Sequence, residues 1–398
     1  MSSATRVVLK PGREKSVLHR HPWIYSGAVA RLDGPAESGD TVDVVSAKGQ
    51  FLARGLISPQ SQIVVRLYTW QEDQPLDDAL WATRLKRAIA LRHSLGVDHV
   101  TNAYRLVAAE SDQLPGLIVD RYGDFLVLQA LTAGAERWKR TATAVLQELL
   151  QPSGIYERSD VDVREKEGLP KVAGPLLGQK PPPLLEIHEH GHRFLVDIAN
   201  GHKTGLYLDQ RENRRLAAGF CTGRDVLNAF AYTGGFGVYA AAAGASSVVH
   251  VDSSGDVLAL ARRNVDLNAP DGACRHEFVE GNAFSLLRAF RAANRTFDVI
   301  ILDPPKFAES VNQLSRALNG YKDVNLVALH LLRPGGTIIT FSCSGLVSVS
   351  MFQQVVWEAA LDANRDAQIV QRLTQAPDHP ILLTFPEGEY LKGLVIQA

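Results

Sequence analysis

The sequence has little cysteine, little net charge and no long apolar run. Three cysteines occur among 398 residues, and their spacing fits neither a disulfide framework nor a zinc site. No segment approaches the roughly 20 consecutive apolar residues that span a bilayer, and the N-terminus lacks the apolar region of a secretory signal peptide. We therefore expect a cytoplasmic protein that uses no metal and does not contact a membrane.

Basic residues cluster near the N-terminus, although the formal net charge is only −1. Between Arg6 and His21, five lysines and arginines stand against a single acid, Glu14. Such a stretch predicts contacts with phosphates, and a nearby aromatic side chain suits base stacking. A solvated surface and a core aromatic fit the same pattern. The candidate RNA-binding residues are Arg13, Lys15, Arg20 and Trp23.

The length of the chain and the positions at which Gly and Pro interrupt it predict three domains. A chain of 398 residues exceeds one ordinary core, and short strand-like runs fill residues 1–75. An α+β pattern follows over 76–185 and ends in the proline-rich segment 180–183. Residues 186–398 begin with a hairpin and continue as alternating strands and helices.

The alternation in the last domain predicts a parallel, doubly wound sheet of the Rossmann-like α/β class. At the C-terminus, 381–385 and 391–396 predict an antiparallel hairpin that closes this sheet. The predicted parallel strands cover 225–229, 247–251, 276–280, 297–302 and 336–341.

Two of these strands run into chemically reactive side chains. The apolar run FDVIIL stops at Asp303 because the two prolines that follow cannot continue a ladder, and Lys306 comes next. The neighbouring strand is followed by Cys343. Because ligands of open α/β sheets bind at the carboxyl ends of the strands, a carboxylate and a thiol should meet there as a reaction centre. A plain turn and a buried cysteine are the simpler alternatives.

The other strand ends suit a cofactor that carries adenosine. The first strand runs into NAFAYTGGFGV, in which Gly234 and Gly235 let the backbone approach a ligand at a helix N-terminus. Asp252 ends the second strand, where an acid accepts hydrogen bonds from ribose, and Asn282 follows the third, where an amide can read an adenine edge. The loop is not G-x-G-x-x-G, so an S-adenosylmethionine methyltransferase fits better than a dehydrogenase.

Motifs over nearly the whole chain resemble one family. The chain contains, in this order, HPWIYSGAV, ESDQLPGLIVDRYG, YERSDV, GHKTGLYLDQR, YTGGF, DPPKF, FSCSGL and PEGEYLKG. They resemble the bacterial large-subunit ribosomal RNA (cytosine-5) methyltransferases. The resemblance implies a PUA-like RNA-binding barrel, a central α+β domain, a Rossmann-like domain, S-adenosyl-L-methionine as cofactor and 23S rRNA as substrate. The cofactor-binding residues expected from the strand ends and the resemblance are Tyr207, Asp209, Gln210, Asn228, Phe230, Tyr232, Thr233, Gly234, Gly235, Asp252, Asn282 and Asp303.

The resemblance also implies covalent catalysis on carbon 5 of cytosine. Cys343 would add as a thiolate to carbon 6, which makes carbon 5 nucleophilic. Asp303 would hydrogen-bond the flipped base, and Lys306 would contact phosphate or the base. The D-P-P-K motif carries no thiol, so a single cysteine should serve the reaction.

Two other functions stay open on the sequence. GHKTGLYLDQR and DPPKF also resemble guanine-N2 methyltransferases, in which D-P-P-K orients an exocyclic amine and Cys343 is incidental. The second alternative is a noncatalytic RNA-binding protein with a decayed methyltransferase fold, against which the intact motifs argue. Asn282 stands where relatives often carry Asp, and homodimerisation is left open.

Overall fold

The computed structural model describes residues 5–268, 272–308 and 310–398. The chain divides into two compact units. The first comprises Met1–Ile187, Val196–Leu206 and Pro377–Gly388, and the second comprises His188–Leu195, Tyr207–Ala376 and Glu389–Ala398. The three domain ranges drawn from the sequence stay predictions.

The N-terminal part of the first unit is built from short strands and one short helix. Its elements are β1 (Arg6–Leu9), α1 (Lys15–Leu18), β2 (Trp23–Tyr25), β3 (Val29–Asp33), β4 (Thr41–Val45), β5 (Phe51–Ile57) and β6 (Ile63–Thr69). The strands form one sheet in the order β2-β6-β5-β4-β1-β3. Val7, Val44 and Val65 lie in its apolar core, which these β-branched runs supply.

The middle of the chain is an α+β layer. Its elements are α2 (Asp78–Ser94), β7 (Ala103–Ala108), β8 (Leu117–Tyr122), β9 (Phe125–Ala130), α3 (Ala133–Leu150), β10 (Gly154–Ser159) and β11 (Val172–Gly178). The side chains of Asp77 and Thr132 cap the two helices by accepting backbone N–H bonds, which satisfies donors that a helix start leaves unpaired. The strands form a sheet in the order β11-β10-β9-β8-β7.

The rest of the chain contains a hairpin and a larger sheet with its helices. The elements are β12 (Leu185–Glu189), β13 (His192–Val196), α4 (Arg211–Ala218), β14 (Asp225–Ala229), α5 (Gly235–Ala242), β15 (Ser247–Asp252), α6 (Gly255–Asn268), β16 (Arg275–Glu280), α7 (Ala283–Ala292), β17 (Phe297–Leu302), α8 (Leu314–Leu331), β18 (Leu332–Ser342), α9 (Val349–Asp362), β19 (Gln368–Thr374) and β20 (Lys392–Gln397). The large sheet has the order β16-β15-β14-β17-β18-β20-β19. Strands β14 to β18 pair in parallel and β20 is antiparallel, so the predicted doubly wound sheet is confirmed.

Helices cover both faces of this sheet. Val299 and Ile301 of β17 pack with Ala240 of α5 on one face, while Ile300 and Leu302 pack with the helices α7, α8 and α9 on the other. A strand buried on both faces is apolar at almost every position, and Asp298 is the one polar residue of β17. This is why the run FDVIIL was recognisable as a strand from the sequence.

The C-terminal hairpin was predicted with the wrong partner. Strand β20 pairs with β19 over 368–374, whereas 381–385 is not a strand. The reason is that Pro377–Gly388 belongs to the first unit. There the Asp378 carboxylate accepts a hydrogen bond from the Arg105 backbone N–H at 2.8 Å, and Phe385 packs against Trp23 with ring centroids 4.7 Å apart. Such contacts outweigh the local β-propensity.

In the part of the chain that the structure describes, the helices are too short or too polar for a membrane crossing.

Candidate active site

The end of β17 and the end of β18 bring Asp303 and Cys343 to one edge of the sheet. The two strands pair in parallel with Leu302 opposite Thr340, so the residues that follow leave the sheet in the same direction. The Cys343 sulfur lies 3.9 Å from the backbone oxygen of Pro304. Cys343 and Asp303 are half-buried, and Lys306 is exposed on the same loop. The thiol of Cys343 therefore lies against the loop that begins with Asp303, at one edge of the sheet.

A buried amide orients the carboxylate of Asp303. Gln210 donates from Nε2 to Asp303 Oδ1 at 2.9 Å. Its own Oε1 accepts from Asn213 Nδ2 at 2.6 Å, and Asn213 also donates to the Thr374 carbonyl at 3.0 Å. This chain fixes the amide orientation of Gln210, because a flipped amide would oppose oxygen to oxygen. Asp303 is thereby held in one rotamer as a hydrogen-bond acceptor.

Tyr207 lies near the loop that follows β14. Its ring meets that of Tyr232 edge-on, with centroids 5.3 Å apart. Burial raises the pKa of Tyr207, and the nearby charges of Asp303, Tyr232, Cys343 and Asp209 raise it further. The phenol, already protonated at neutral pH with the ordinary tyrosine pKa of about 10, is therefore kept further from ionisation and can donate a hydrogen bond.

The loop after β14 is held by the acid that ends β15. Asp252 Oδ2 accepts from the Tyr232 backbone N–H at 2.8 Å. Phe230, Tyr232 and Gly234 have φ of 61°, 47° and 83°, which is a left-handed backbone that only a tightly held turn imposes on aromatic residues. A Cβ on Gly234 would lie 3.0 Å from Ala261 Cβ, so glycine lets this turn pack against α6.

Two buried polar atoms at this end of the sheet suit a polar ligand. Asn228 and Thr233 are 1% and 2% exposed. Asn228 Nδ2 and Thr233 Oγ1 have no hydrogen-bond partner within the described residues. Buried polar groups are almost always paired, so donors and acceptors left open beside a glycine turn fit an adenosine-bearing cofactor.

Other predicted residues have local roles in the structure. Asn282 is exposed and caps α7, accepting from the Ser285 N–H at 3.2 Å. Asp209 is buried and accepts from the Tyr390 hydroxyl at 2.7 Å. Gly235 begins α5, and a Cβ there would lie 2.9 Å from Arg214 Cδ. Their assignment to the cofactor stays a prediction.

A buried ion pair behind the site was missed in the sequence. Arg214 donates to both carboxylate oxygens of Glu189, at 2.7 and 2.6 Å, and to the Tyr207 carbonyl at 2.9 Å. Tyr239 donates to the same carboxylate at 3.0 Å. The only sequence signal was the basic RENRR run after GHKTGLYLDQ, because the partner Glu189 is 25 residues away.

The basic N-terminal residues partly converge on a cavity in the first unit. The cavity has a volume of about 670 Å³ and is lined by Arg13, Lys15 and Trp23, together with Tyr25 and Glu387. Trp23 is anchored there, since its indole N–H donates to Glu110 at 2.8 Å. Arg20 does not line this cavity. Its guanidinium lies over the ring of Trp70, 5.9 Å from the centroid.

The strand order, the glycine turn and the acid after the second strand define an S-adenosylmethionine-dependent methyltransferase. Models of known families give the same result: a PUA-like domain matches residues 7–70, and an S-adenosylmethionine-dependent methyltransferase matches residues 157–392. The predicted fold class and the cofactor are thus confirmed.

Relatives then identify the family. Ribosomal RNA large subunit methyltransferase I of Salmonella arizonae is 50% identical over 98% of this chain and 96% of its own length. The protein of that name from Yersinia pseudotuberculosis is 50% identical, with 98% of each chain covered. The chain belongs to the ribosomal RNA large subunit methyltransferase I family of S-adenosylmethionine-dependent methyltransferases.

Solved structures agree with the fold. A chain assigned as a SAM-dependent methyltransferase from Streptococcus mutans aligns with a TM-score of 0.85 and 24% identity, covering 99% of this chain and 100% of that one. A methyltransferase structure complexed with SAH aligns with a TM-score of 0.86 at the same coverage. At this identity the likeness concerns the fold alone.

Proposed function

We propose that the protein methylates carbon 5 of a cytosine in 23S rRNA through a covalent bond between Cys343 and carbon 6 of the base. The observation that carries the proposal is the meeting of a half-buried thiol and an oriented carboxylate at the cofactor end of the sheet. The relatives are named for the large-subunit ribosomal RNA. A guanine-N2 methyltransferase needs the carboxylate but has no use for the thiol.

The cofactor supplies an electrophilic methyl group. Asn228, Thr233, Asp252 and the glycine turn hold it, and Tyr207, Asp209 and Gln210 border it. These assignments rest on the open polar atoms of Asn228 and Thr233 and on the position of Asp252 at the end of β15. Phe230, Tyr232, Gly234, Gly235 and Asn282 complete the proposed set.

In this scheme Cys343, Asp303 and a general base act on the cytosine. The thiolate of Cys343 adds to carbon 6, and the electron pair of the 5,6 double bond makes carbon 5 nucleophilic. Asp303, held by Gln210, hydrogen-bonds the amine or N3 side of the base and stabilises the adduct. Carbon 5 then takes the methyl group, whose bond to the cofactor sulfur would break as the new bond forms, with that electron pair staying on the sulfur. A base removes the carbon-5 proton, the double bond re-forms, and the sulfur leaves as thiolate.

RNA affinity comes from the N-terminal sheet domain in this scheme. Arg13 and Lys15 are exposed at the cavity, and no carboxylate among the described residues pairs with either of them. Trp23 and Tyr25 add aromatic surface suited to an unstacked base. Arg20 contributes charge beside the cavity. Lys306 serves as a phosphate or base contact near the reaction centre.

Trapping on RNA that carries 5-fluorocytosine tests the chemistry. Fluorine at carbon 5 cannot leave as a proton does, so the Cys343–C6 adduct should accumulate and appear as a protein–RNA band that resists denaturation. Cys343→Ala should give no band. Methyl transfer to this RNA without any adduct would favour an exocyclic-amine methyltransferase, and binding without methyl transfer to unmodified rRNA would favour a noncatalytic protein.

A further inference from the structure

A buried lysine lies beneath the segment that follows Cys343. Lys392 is the first residue of β20 and faces Ser342 across the antiparallel pair β18–β20. Its side chain is 5% exposed. The ammonium group donates to the backbone carbonyls of Ser344 and Val347, both at 2.6 Å. These two carbonyls belong to the turn that carries the thiol away from the sheet.

This lysine is buried without a carboxylate partner. Within the residues that the structure describes, no acidic side chain lies within ion-pairing distance of its ammonium group. Burying a charge that is not paired is costly. The two carbonyls satisfy hydrogen bonds of the ammonium group but do not neutralise its charge, so that charge can act on a nearby anionic group.

The electrostatic surroundings of Lys392 include the thiol. Burial lowers the pKa of Lys392, while Glu389 and Cys343 act in the opposite direction and favour the charged amine. Such an interaction is mutual. A thiolate that favours the ammonium form of its neighbour is favoured by that ammonium to the same extent.

We infer that Lys392 is a positioning residue that stabilises the thiolate of Cys343 and holds the turn that presents it. The inference rests on the proposed role of Cys343 as a nucleophile. The charge helps at two points of the reaction: it favours thiolate before addition to carbon 6, and it favours thiolate again when the sulfur leaves. Lys392 acts through its charge in this scheme, and two of its three N–H groups bond the carbonyls that fix the turn.

The pH dependence of Cys343 alkylation measures this coupling without methyl transfer. Iodoacetamide reacts with thiolate, so its rate follows the thiolate fraction. A Cys221→Ser, Cys274→Ser background leaves Cys343 as the reporting thiol. Tyr207 and Tyr321 also interact with the thiol, and the nearby Asp303 carboxylate opposes a thiolate, so the wild-type midpoint serves as the reference for each variant. Lys392→Gln, which keeps an amide donor but removes the charge, should raise the midpoint by about one pH unit and slow alkylation roughly tenfold at pH 7.

Two further variants separate charge from structure. Lys392→Arg keeps the charge and should keep the wild-type midpoint. Lys322→Gln removes a lysine of α8 that pairs with Asp362 at 2.8 Å, and its midpoint should match the wild type. Thermal unfolding and cofactor binding establish that each variant is folded.

The inference fails if folded Lys392→Gln has the wild-type midpoint. It also fails if folded Lys392→Arg, which keeps the charge, raises the midpoint as much as Lys392→Gln does. Trapping with 5-fluorocytosine RNA distinguishes failure of the proposed function. If the midpoint moves as expected but no adduct forms, the coupling stands and the covalent mechanism does not.

Discussion

The N-terminal cavity and the edge of the large sheet that carries Asp303 and Cys343, the proposed catalytic edge, hold their polar groups in opposite environments. At the cavity, Arg13 and Lys15 are exposed to water, where each charge contributes little alone and is screened by salt. At the catalytic edge, Gln210 and Lys392 are buried and hydrogen-bonded. Buried polar groups carry large energies because a lost partner is not replaced by water. Single substitutions should therefore lower stability or activity measurably at the catalytic edge. At the cavity, only combined substitutions should weaken RNA binding measurably.

The largest effect should come from Cys343→Ala. Loss of the nucleophile should lower kcat and kcat/KM together by roughly a thousandfold or more, on the scale seen when a nucleophile is removed from an enzyme. Methyl transfer to rRNA, measured with radiolabelled cofactor, checks this. Calorimetry should show unchanged cofactor affinity. Substantial residual turnover would remove the thiol from the mechanism.

Breaking the buried ion pair behind Tyr207 should have the next largest effect. Glu189→Ala leaves Arg214 buried without its carboxylate and should lower the free energy of unfolding by about 3–5 kcal/mol. Denaturant unfolding measures this. The matched control is Asp33→Ala, which removes the partner of Arg31 in a pair whose side chains are 45% and 61% exposed and should cost about 0–1 kcal/mol. Equal losses in the two variants would contradict the comparison.

Asp252→Ala should weaken cofactor binding by about 1–3 kcal/mol, the cost of losing charge-assisted hydrogen bonds. The carboxylate also accepts from the Tyr232 N–H, so Asp252→Asn serves as the control that keeps an acceptor for the loop. Titration calorimetry on both folded variants decides the point. An unchanged cofactor affinity in Asp252→Ala would show that the cofactor does not bind at the end of β15.

Charge reversal at the cavity should act on RNA binding alone. Arg13→Glu combined with Lys15→Glu should weaken rRNA binding and reduce the slope of log affinity against log salt by about two, or one for each lost phosphate contact. Cofactor affinity should not change. A wild-type salt slope in the double variant would make this patch an ordinary solvated surface.

The smallest effect is expected from Cys221→Ser combined with Cys274→Ser. Both thiols lie in the apolar core of the large sheet, and burial raises the pKa of Cys221 to about 12, so neither is suited to supply a thiolate. Turnover should stay near the wild-type rate. A covalent RNA adduct that accumulates in this variant would show that a second thiol takes part.

The sequence alone predicted the strands that are buried along their whole length. Strands β14 and β17 have the predicted limits because both are buried on both faces and most of their side chains are apolar. The meeting of Asp303 with Cys343 followed from the rule that parallel strands end at one edge of a sheet. The basic stretch that contributes Arg13 and Lys15 to the cavity was visible as composition.

Only the tertiary structure decided which distant residues meet. The segment 381–385 and β19 have similar local β-propensity. Contacts such as that of Phe385 with Trp23 hold 381–385 in the first unit, and β19 is the strand that pairs with β20. The bonds from Gln210 to Asp303 and from Lys392 to the turn after Cys343 join residues 93 and 48 or 45 positions apart. Side-chain partners at such separations depend on how the strands and helices pack, and local sequence patterns carry no signal for them.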